Sequence, residues 1–332
     1  MGKSMLAQHR RPSIWPGRQT WCTGTVDSAP AMDRPTSDVI RTAHEAIGQA
    51  WPMLDRRPVL VTSDFDGTVS VPQMDPWAAT ILPQAQRSLR SLASMDGVHV
   101  ALLSGRTASD LSGRVRVGGA EYLGNQGLER GRLGRRQHAA SLQVVAHPAS
   151  EQAWAMARLL AQEVPRSVSD AWLVVESKGP AVTFHYRGAP DVDDAGTRVA
   201  RTVELLDPRG DLVRFPGRRS LELRPPGAPA KGEAFRMLLD DVRPAVAFML
   251  GDDRTDVAAF RVLRAARDAG EIEGLAIAVG RDAASLEETG PHADIVLGSP
   301  AAAARFLALL TRALGHPRSV AGRPTRARNQ SS

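Results

Sequence analysis

Cysteine is nearly absent from this 332-residue chain: Cys22 stands alone. One thiol excludes an intramolecular disulfide and any zinc or iron–sulfur site built on several cysteines, so a reducing cytoplasm is the expected setting. Also missing is any run near the ~18 consecutive apolar residues that would cross a bilayer, and no membrane partner is expected. Residues 1–35 lack both the ~7–15-residue apolar stretch of a secretory signal and any hydrophobic periodicity. Rich in Ser, Thr, Pro and Gly, they read as a disordered tail.

Acidic residues are missing from 316–332, which holds Arg318, Arg323, Arg326 and Arg328 and reads as a disordered basic tail. The net charge of +6 belongs to the chain ends, because residues 32–315 carry 34 cations against 35 anions. No recognition motif accompanies the basic tails, so nucleic acid is not expected as a partner. Oligomeric state is not readable. What remains is ordinary globular material, 42% hydrophobic and 23% charged. At about 100–200 residues per domain the length suggests two units.

A helical spacing runs from Ser37 to Ala50 through Val39, Ile40, Ala43 and Ile47. Short apolar runs follow at Pro58–Ser63, Val98–Leu103, Ala245–Leu250, Leu275–Val279 and Asp294–Leu297, with helical stretches between several of them. That alternation predicts a doubly wound parallel sheet with helices on both faces. In such sheets the crevice lies beyond the carboxyl ends of the strands. Asp64 and Asp66, Ser104 and Arg106, and Asp252 and Asp253 end three of the runs and are expected to converge there.

The middle of the chain has another rhythm. A strand region over Leu128–Val145, a helix over Ser150–Glu163 and a hairpin around Lys178-Gly179-Pro180 come first. A helix over Asp191–Leu206 and strands at Leu212–Phe215 and Ser220–Leu223 follow. The pattern is β-α-β-β-α-β, a compact second domain inserted into the first. The expected division is a core of residues 36–130 and 216–315, with an α+β cap over 131–215.

Asp64-Phe65-Asp66-Gly67-Thr68 places two carboxylates two residues apart after a strand. One can share a cation and attack phosphorus while the other handles protons. An isolated D-x-D is better explained by an Asx-turn or helix cap. Gly251-Asp252-Asp253-Arg254-Thr255-Asp256 crowds three carboxylates, which repel unless a cation is present. Oxygen ligands with no nearby Cys or His favour Mg²⁺. Here Asp256 reads as a helix-start residue, leaving Asp252 and Asp253 as the unusual pair. Ser104-Gly105-Arg106 can meet a phosphate at a helix N-terminus. Lys231 opens a helix against the dipole, which a local anion would explain.

In this order the segments resemble the four motifs of haloacid-dehalogenase-superfamily phosphatases, and more narrowly the trehalose-6-phosphate phosphatase family. The narrower resemblance rests on Gly251–Asp256, on Glu222-Leu223-Arg224-Pro225 ahead of Lys231-Gly232, and on Glu176-Ser177-Lys178 with His185-Tyr186-Arg187. It covers about residues 57–312. It implies that Asp64 is nucleophile and metal ligand, and that Asp66 is the acid/base and offers the metal a backbone carbonyl. Asp252 would be the other metal carboxylate, with Asp253 beside it. Ser104 and Lys231 would hold the phosphoryl group, making the catalytic set Asp64, Asp66, Ser104 and Lys231. Arg106, Gln126, Glu176, Lys178 and Glu222 would bind substrate.

One departure is Gln126 in Gly124-Asn125-Gln126-Gly127, where the family usually has His; Gln hydrogen-bonds but cannot be cationic. His185 reads as a strand residue satisfied by backbone. The implied activity is Mg²⁺-dependent hydrolysis of trehalose 6-phosphate through an aspartyl-phosphate. Sucrose 6-phosphate, a glycosyl-3-phosphoglycerate, or a silent sugar-phosphate-binding role are the alternatives.

Overall fold

The computed structural model describes residues 40–73, 76–217, 219–280 and 282–315. The tails expected to be disordered, 1–35 and 316–332, lie outside the described residues, all of which belong to the unit Ser37–Ser332. The chain first lays down β1 (Ile40–Arg41), α1 (Ala43–Ala50), β2 (Val59–Ser63), α2 (Pro83–Ser94) and β3 (Val98–Leu103). Next come α3 (Ala108–Val115), β4 (Glu121–Gly124), β5 (Glu129–Arg132) and β6 (Val145–Ala146). An insert follows: α4 (Trp154–Ser167), β7 (Val174–Ser177), β8 (Val182–His185), α5 (Val192–Leu206), β9 (Val213–Pro216) and β10 (Ser220–Arg224). The chain returns through α6 (Lys231–Val242), β11 (Val246–Gly251), α7 (Asp256–Asp268) and β12 (Glu273–Val279). It closes with α8 (Ala283–Thr289), β13 (Ile295–Leu297) and α9 (Pro300–Gly315).

The larger sheet has the order β1-β13-β12-β11-β2-β3-β4-β5-β6. It is parallel from β1 to β4 and antiparallel at β4–β5 and β5–β6. Every residue of β2 and β11 is buried, because both faces of the sheet are covered. Val59, Val61, Phe248 and Leu250 pack beneath Ala46, Leu89, Leu111 and Phe306 of α1, α2, α3 and α9. Leu60, Ala247 and Met249 face the other way, onto Phe235 and Leu238 of α6 and Phe260 and Leu263 of α7.

Two expectations need correction. The first helix begins at Ala43, not Ser37, because Thr42 closes a capping box with Glu45; Ile40 and Arg41 instead pair with β13 at the sheet edge. The strand region starting near Leu128 does not belong to the second domain. Its β5 pairs with β4 and its β6 with β5, so both extend the larger sheet. The insert itself runs α-β-β-α-β-β, from Trp154 to Arg224.

The insert's sheet is antiparallel in the order β7-β8-β10-β9. Val182, Phe184, Leu221 and Leu223 join α4 and α5 in a core separate from the other two. By strand alternation the cross-strand row Glu176–Thr183–Glu222 takes the opposite face. No helix among the described residues is long and apolar enough to cross a membrane.

Candidate active site

Asp64 follows β2, and its backbone N–H donates to the Leu250 carbonyl of neighbouring β11 at 2.9 Å. The loop then folds tightly around Phe65, whose carbonyl accepts from the N–H groups of Val69 and Ser70. Gly67 has φ +81°, and a Cβ there would lie 2.2 Å from Asp252 Oδ2. Only glycine lets this loop approach the end of β11 so closely.

Lys231, in the first turn of α6, reaches the same point. Its buried ammonium donates to Asp64 Oδ1 at 2.9 Å and to Asp256 Oδ1 at 2.8 Å. The second oxygen of Asp256 accepts from the backbone N–H groups of Asp252 (3.0 Å) and Asp253 (3.2 Å). Burial pushes the Asp64 carboxyl up to about 6 despite Lys231, with Asp253 and Asp66 adding to the rise. Burial likewise raises Asp256 well above the ordinary carboxylate value, against the pull of Lys231. Burial works against the charged form of Lys231, but Asp256 and Asp64 outweigh it and hold the ammonium well above its usual range.

Carboxylate oxygens of Asp64, Asp252 and Asp256 all lie within 4.8 Å of one another, and all three residues are buried. One ammonium does not balance that much buried negative charge. A hard divalent cation with oxygen ligands fits the donor set, which contains no His or Cys. The expected metal set is the carboxylates of Asp64 and Asp252 with the backbone carbonyl of Asp66, and Asp253 beside them. Asp64 and Asp252 come together, but the other carboxylate of the cluster is Asp256. Asp253 instead turns to the start of α7, where Oδ1 accepts from Thr255 N (2.8 Å), Thr255 Oγ1 (2.6 Å) and Asp256 N (3.2 Å). Burial opposes its ionised form, yet Lys231 and these hydrogen bonds keep its carboxyl below the usual value.

The Asp66 side chain faces Arg106. Arg106 Nε donates to Asp66 Oδ2 at 2.7 Å and Nη2 to Oδ1 at 2.8 Å. Nη1 donates to Asp110 Oδ2 at 3.0 Å, and the guanidinium sits 5.4 Å from the centre of the Phe65 ring. Arg106, expected to grip substrate, thus holds the acid/base candidate by a bidentate fork. Ser104 is buried at the end of β3, one strand from Asp64, and its hydroxyl accepts from Arg106 N at 3.3 Å.

The insert supplies the opposite wall. Lys178 Nζ lies 3.4 Å from Glu176 Oε2 and 3.6 Å from Glu222 Oε1. Gln126 Nε2, from the core, donates to Glu222 Oε2 at 3.3 Å. His185 Nε2 is 3.0 Å from Glu176 Oε2, so a carboxylate and not the backbone is its partner. Burial resists ionisation of Glu176, but His185, Lys178 and Arg106 together bring its carboxyl down to about 2. Four of the five expected substrate-binding residues, Gln126, Glu176, Lys178 and Glu222, therefore lie in one connected polar patch, while Arg106 is bound to Asp66 and Asp110. His185 joins the patch and Asp256 joins the acidic cluster, neither expected from sequence. Their signals were the D-x₃-D spacing from Asp252 and the diagonal placement of His185 and Glu176 on paired strands.

The family model described as trehalose-phosphatase matches residues 62–288, a span containing every site residue above. The chain belongs to that family. It is 34% identical over 292 residues to the trehalose-phosphate phosphatase of Mycobacterium marinum, covering 86% of this chain and 69% of that protein. It is 35% identical over 226 residues to the trehalose-phosphate phosphatase of Mycobacterium bovis, covering 67% of this chain and 55% of that one. The chain thus spans just over half the length of some of the curated relatives it matches. The C-terminal domain of Candida albicans trehalose-6-phosphate phosphatase has the same fold, with TM-score 0.61 and 22% identity over 79% of this chain and 96% of that one. The doubly wound, largely parallel α/β core with an α+β insert, expected from sequence, is the fold observed.

Proposed function

We propose that the protein is a Mg²⁺-dependent phosphatase that hydrolyses trehalose 6-phosphate to trehalose and phosphate. The observation that carries this reading is the pairing of two walls. A buried carboxylate–lysine cluster suited to phosphate chemistry lies on the core, and a ring of sugar-binding side chains lies on the insert.

Lys231 neutralises the incoming phosphate beside Asp64, which allows an anionic nucleophile to approach an anionic substrate. An Asp64 oxygen bonds to phosphorus while the bond from phosphorus to the sugar oxygen breaks, and Asp66 delivers a proton to that oxygen. Asp66, now ionised, takes a proton from water, which attacks phosphorus and breaks the bond to Asp64. Phosphate leaves and the carboxylate is restored. Asp66 can serve both steps only after leaving the Arg106 fork. Ser104 holds a phosphoryl oxygen. Asp64, Asp252 and Asp256 would hold Mg²⁺, which when bound supplies positive charge against the phosphoryl oxygens. The insert, Trp154–Arg224, acts as a cap that selects the sugar. Glu176, Lys178, Glu222 and Gln126 offer donors and acceptors to hydroxyls, and a sugar lacking them leaves those groups unpaired.

The test is phosphate release from trehalose 6-phosphate, sucrose 6-phosphate, a glycosyl-3-phosphoglycerate and glucose 6-phosphate, with Mg²⁺ and with a chelator. Trehalose 6-phosphate should be preferred, and the chelator should abolish turnover reversibly. Preference for another sugar phosphate would replace the substrate, and full activity in chelator would remove the metal.

A further inference from the structure

We infer that Asn125 is a positioning residue that sets the sugar-binding hairpin of the insert in register with the phosphate-binding loop of the core. The inference rests on the phosphatase reading above. Asn125 follows directly on β4 at φ 47°, and Gln126 comes next at φ 60°. Two successive side-chain-bearing residues in the left-handed region are unfavourable, and the surroundings must hold them there. They do so through the phosphate loop: Asn125 N donates to Arg106 O at 2.7 Å and Gln126 N to Ser104 O at 2.8 Å.

The Asn125 side chain points to the other wall. It is 1% exposed, and its Nδ2 donates to Glu129 Oε1 at 2.7 Å and to the Lys178 carbonyl at 2.9 Å. Glu129 is itself anchored, because its second oxygen accepts from Ala108 N at 2.7 Å in the first turn of α3. A rigid path therefore runs from the loop carrying Ser104 and Arg106, through one buried amide, to the backbone of Lys178. The Lys178 ammonium in turn sits between Glu176 and Glu222.

Local turn formation does not require this amide. Glycine would occupy φ 47° with less strain. Asn125 also leaves its Oδ1 buried with no hydrogen-bond partner, a cost that glycine would avoid. The donor aimed at Lys178 accounts for a polar side chain here. By fixing the gap between the phosphate end and the sugar end, Asn125 selects for a substrate that reaches both.

The test is Asn125→Gly, which relieves the turn and removes the amide joining Glu129 to the Lys178 carbonyl, alongside Asn125→Leu, which keeps about the same volume and cannot donate. For trehalose 6-phosphate, kcat/KM should fall roughly 10–100-fold and mainly through KM, since a small misplacement of binding groups costs about that much. Hydrolysis of p-nitrophenyl phosphate, too small to reach Lys178, should stay within about threefold of the parent. Hydrogen exchange at the turn 178–181 should quicken while that of α6 and α7 is unchanged. Equal losses on both phosphates, or a trehalose 6-phosphate response within about threefold, would overturn the inference. If the parent does not hydrolyse trehalose 6-phosphate, the substrate reading fails and the exchange measurement still decides the role of Asn125: unchanged exchange at 178–181 rejects it.

Discussion

Replacing Asp256 by Asn tests the geometry of the buried cluster most directly. Both oxygens of Asp256 face donors: Lys231 Nζ on one side, the N–H groups of Asp252 and Asp253 on the other. Asparagine keeps the shape but offers one acceptor and one NH₂. With its oxygen toward Lys231, the NH₂ confronts two backbone N–H groups; turned over, it confronts the ammonium. Breaking a buried ion pair costs about 3–5 kcal/mol, and each orphaned buried N–H about 1–3 kcal/mol. Lys231 keeps Asp64 as partner, which points to the lower end, about 3 kcal/mol. At about 2–4 °C per kcal/mol for a body of this size, the midpoint of thermal unfolding in chelator should fall by about 6–12 °C. The same change removes one carboxylate of the acidic cluster, so half-saturating Mg²⁺ in the phosphate-release assay should rise about 10–100-fold. A variant melting within about 2 °C of the parent, with an unchanged Mg²⁺ midpoint, would refute both the ion-pair arithmetic and the place of Asp256 in the metal site.

Asp64→Asn should lower turnover by at least about 10³-fold, measured as phosphate release, with the circular dichroism spectrum retained. Because burial raises Asp64 from 3.8 to about 6, the folded state holds that proton more tightly than the unfolded chain. Metal-free stability should therefore fall as pH climbs from 3.8 through about 6, and Asp64→Asn should flatten that fall in a series of melting curves. Mg²⁺ must displace the same proton, so its apparent affinity by calorimetry should drop about tenfold per pH unit below about pH 6 and level off above it. Glu176→Ala or Lys178→Ala should reduce kcat/KM for trehalose 6-phosphate by roughly 10–10³-fold while p-nitrophenyl phosphate changes little; equal losses on both would assign these residues a structural role.

The core strands were legible because parallel strands covered on both faces need uninterrupted apolar residues, as in Val59–Ser63 and Val246–Gly251. Their polar ends then had to meet, since β3, β2 and β11 are neighbours. Less legible were residues with two plausible employments. Asp256 has a local reason to begin a helix, which hid its second employment under Lys231, while Asp253 took the capping task. Arg106 follows a phosphate-loop serine and reads as an anion binder, but its partner carboxylate, Asp66, lies forty residues earlier and only the fold brings them together. His185 and Glu176 meet diagonally across a hairpin, and a single-residue change of register would separate them. The strand after Leu128 joins β4 in the larger sheet and not the insert, because hairpin periodicity does not say which neighbour a strand joins.

Strands β2 and β11 lie side by side, and the residues meeting at their ends are far apart in the chain: Thr68 touches Asp252 across 184 positions. During synthesis, Asp64 and the whole insert emerge before β11 exists. Asp64 then has neither Asp252 nor Asp256 beside it. An insert with its own apolar core can fold first and shorten the loop that β2 and β11 must close. The centre is thus assembled last, by the return of the chain. Ligand binding there reports completion of the whole core, and a nascent chain stopped before Val246 carries the insert hairpin and Lys231 without Asp252 or Asp256.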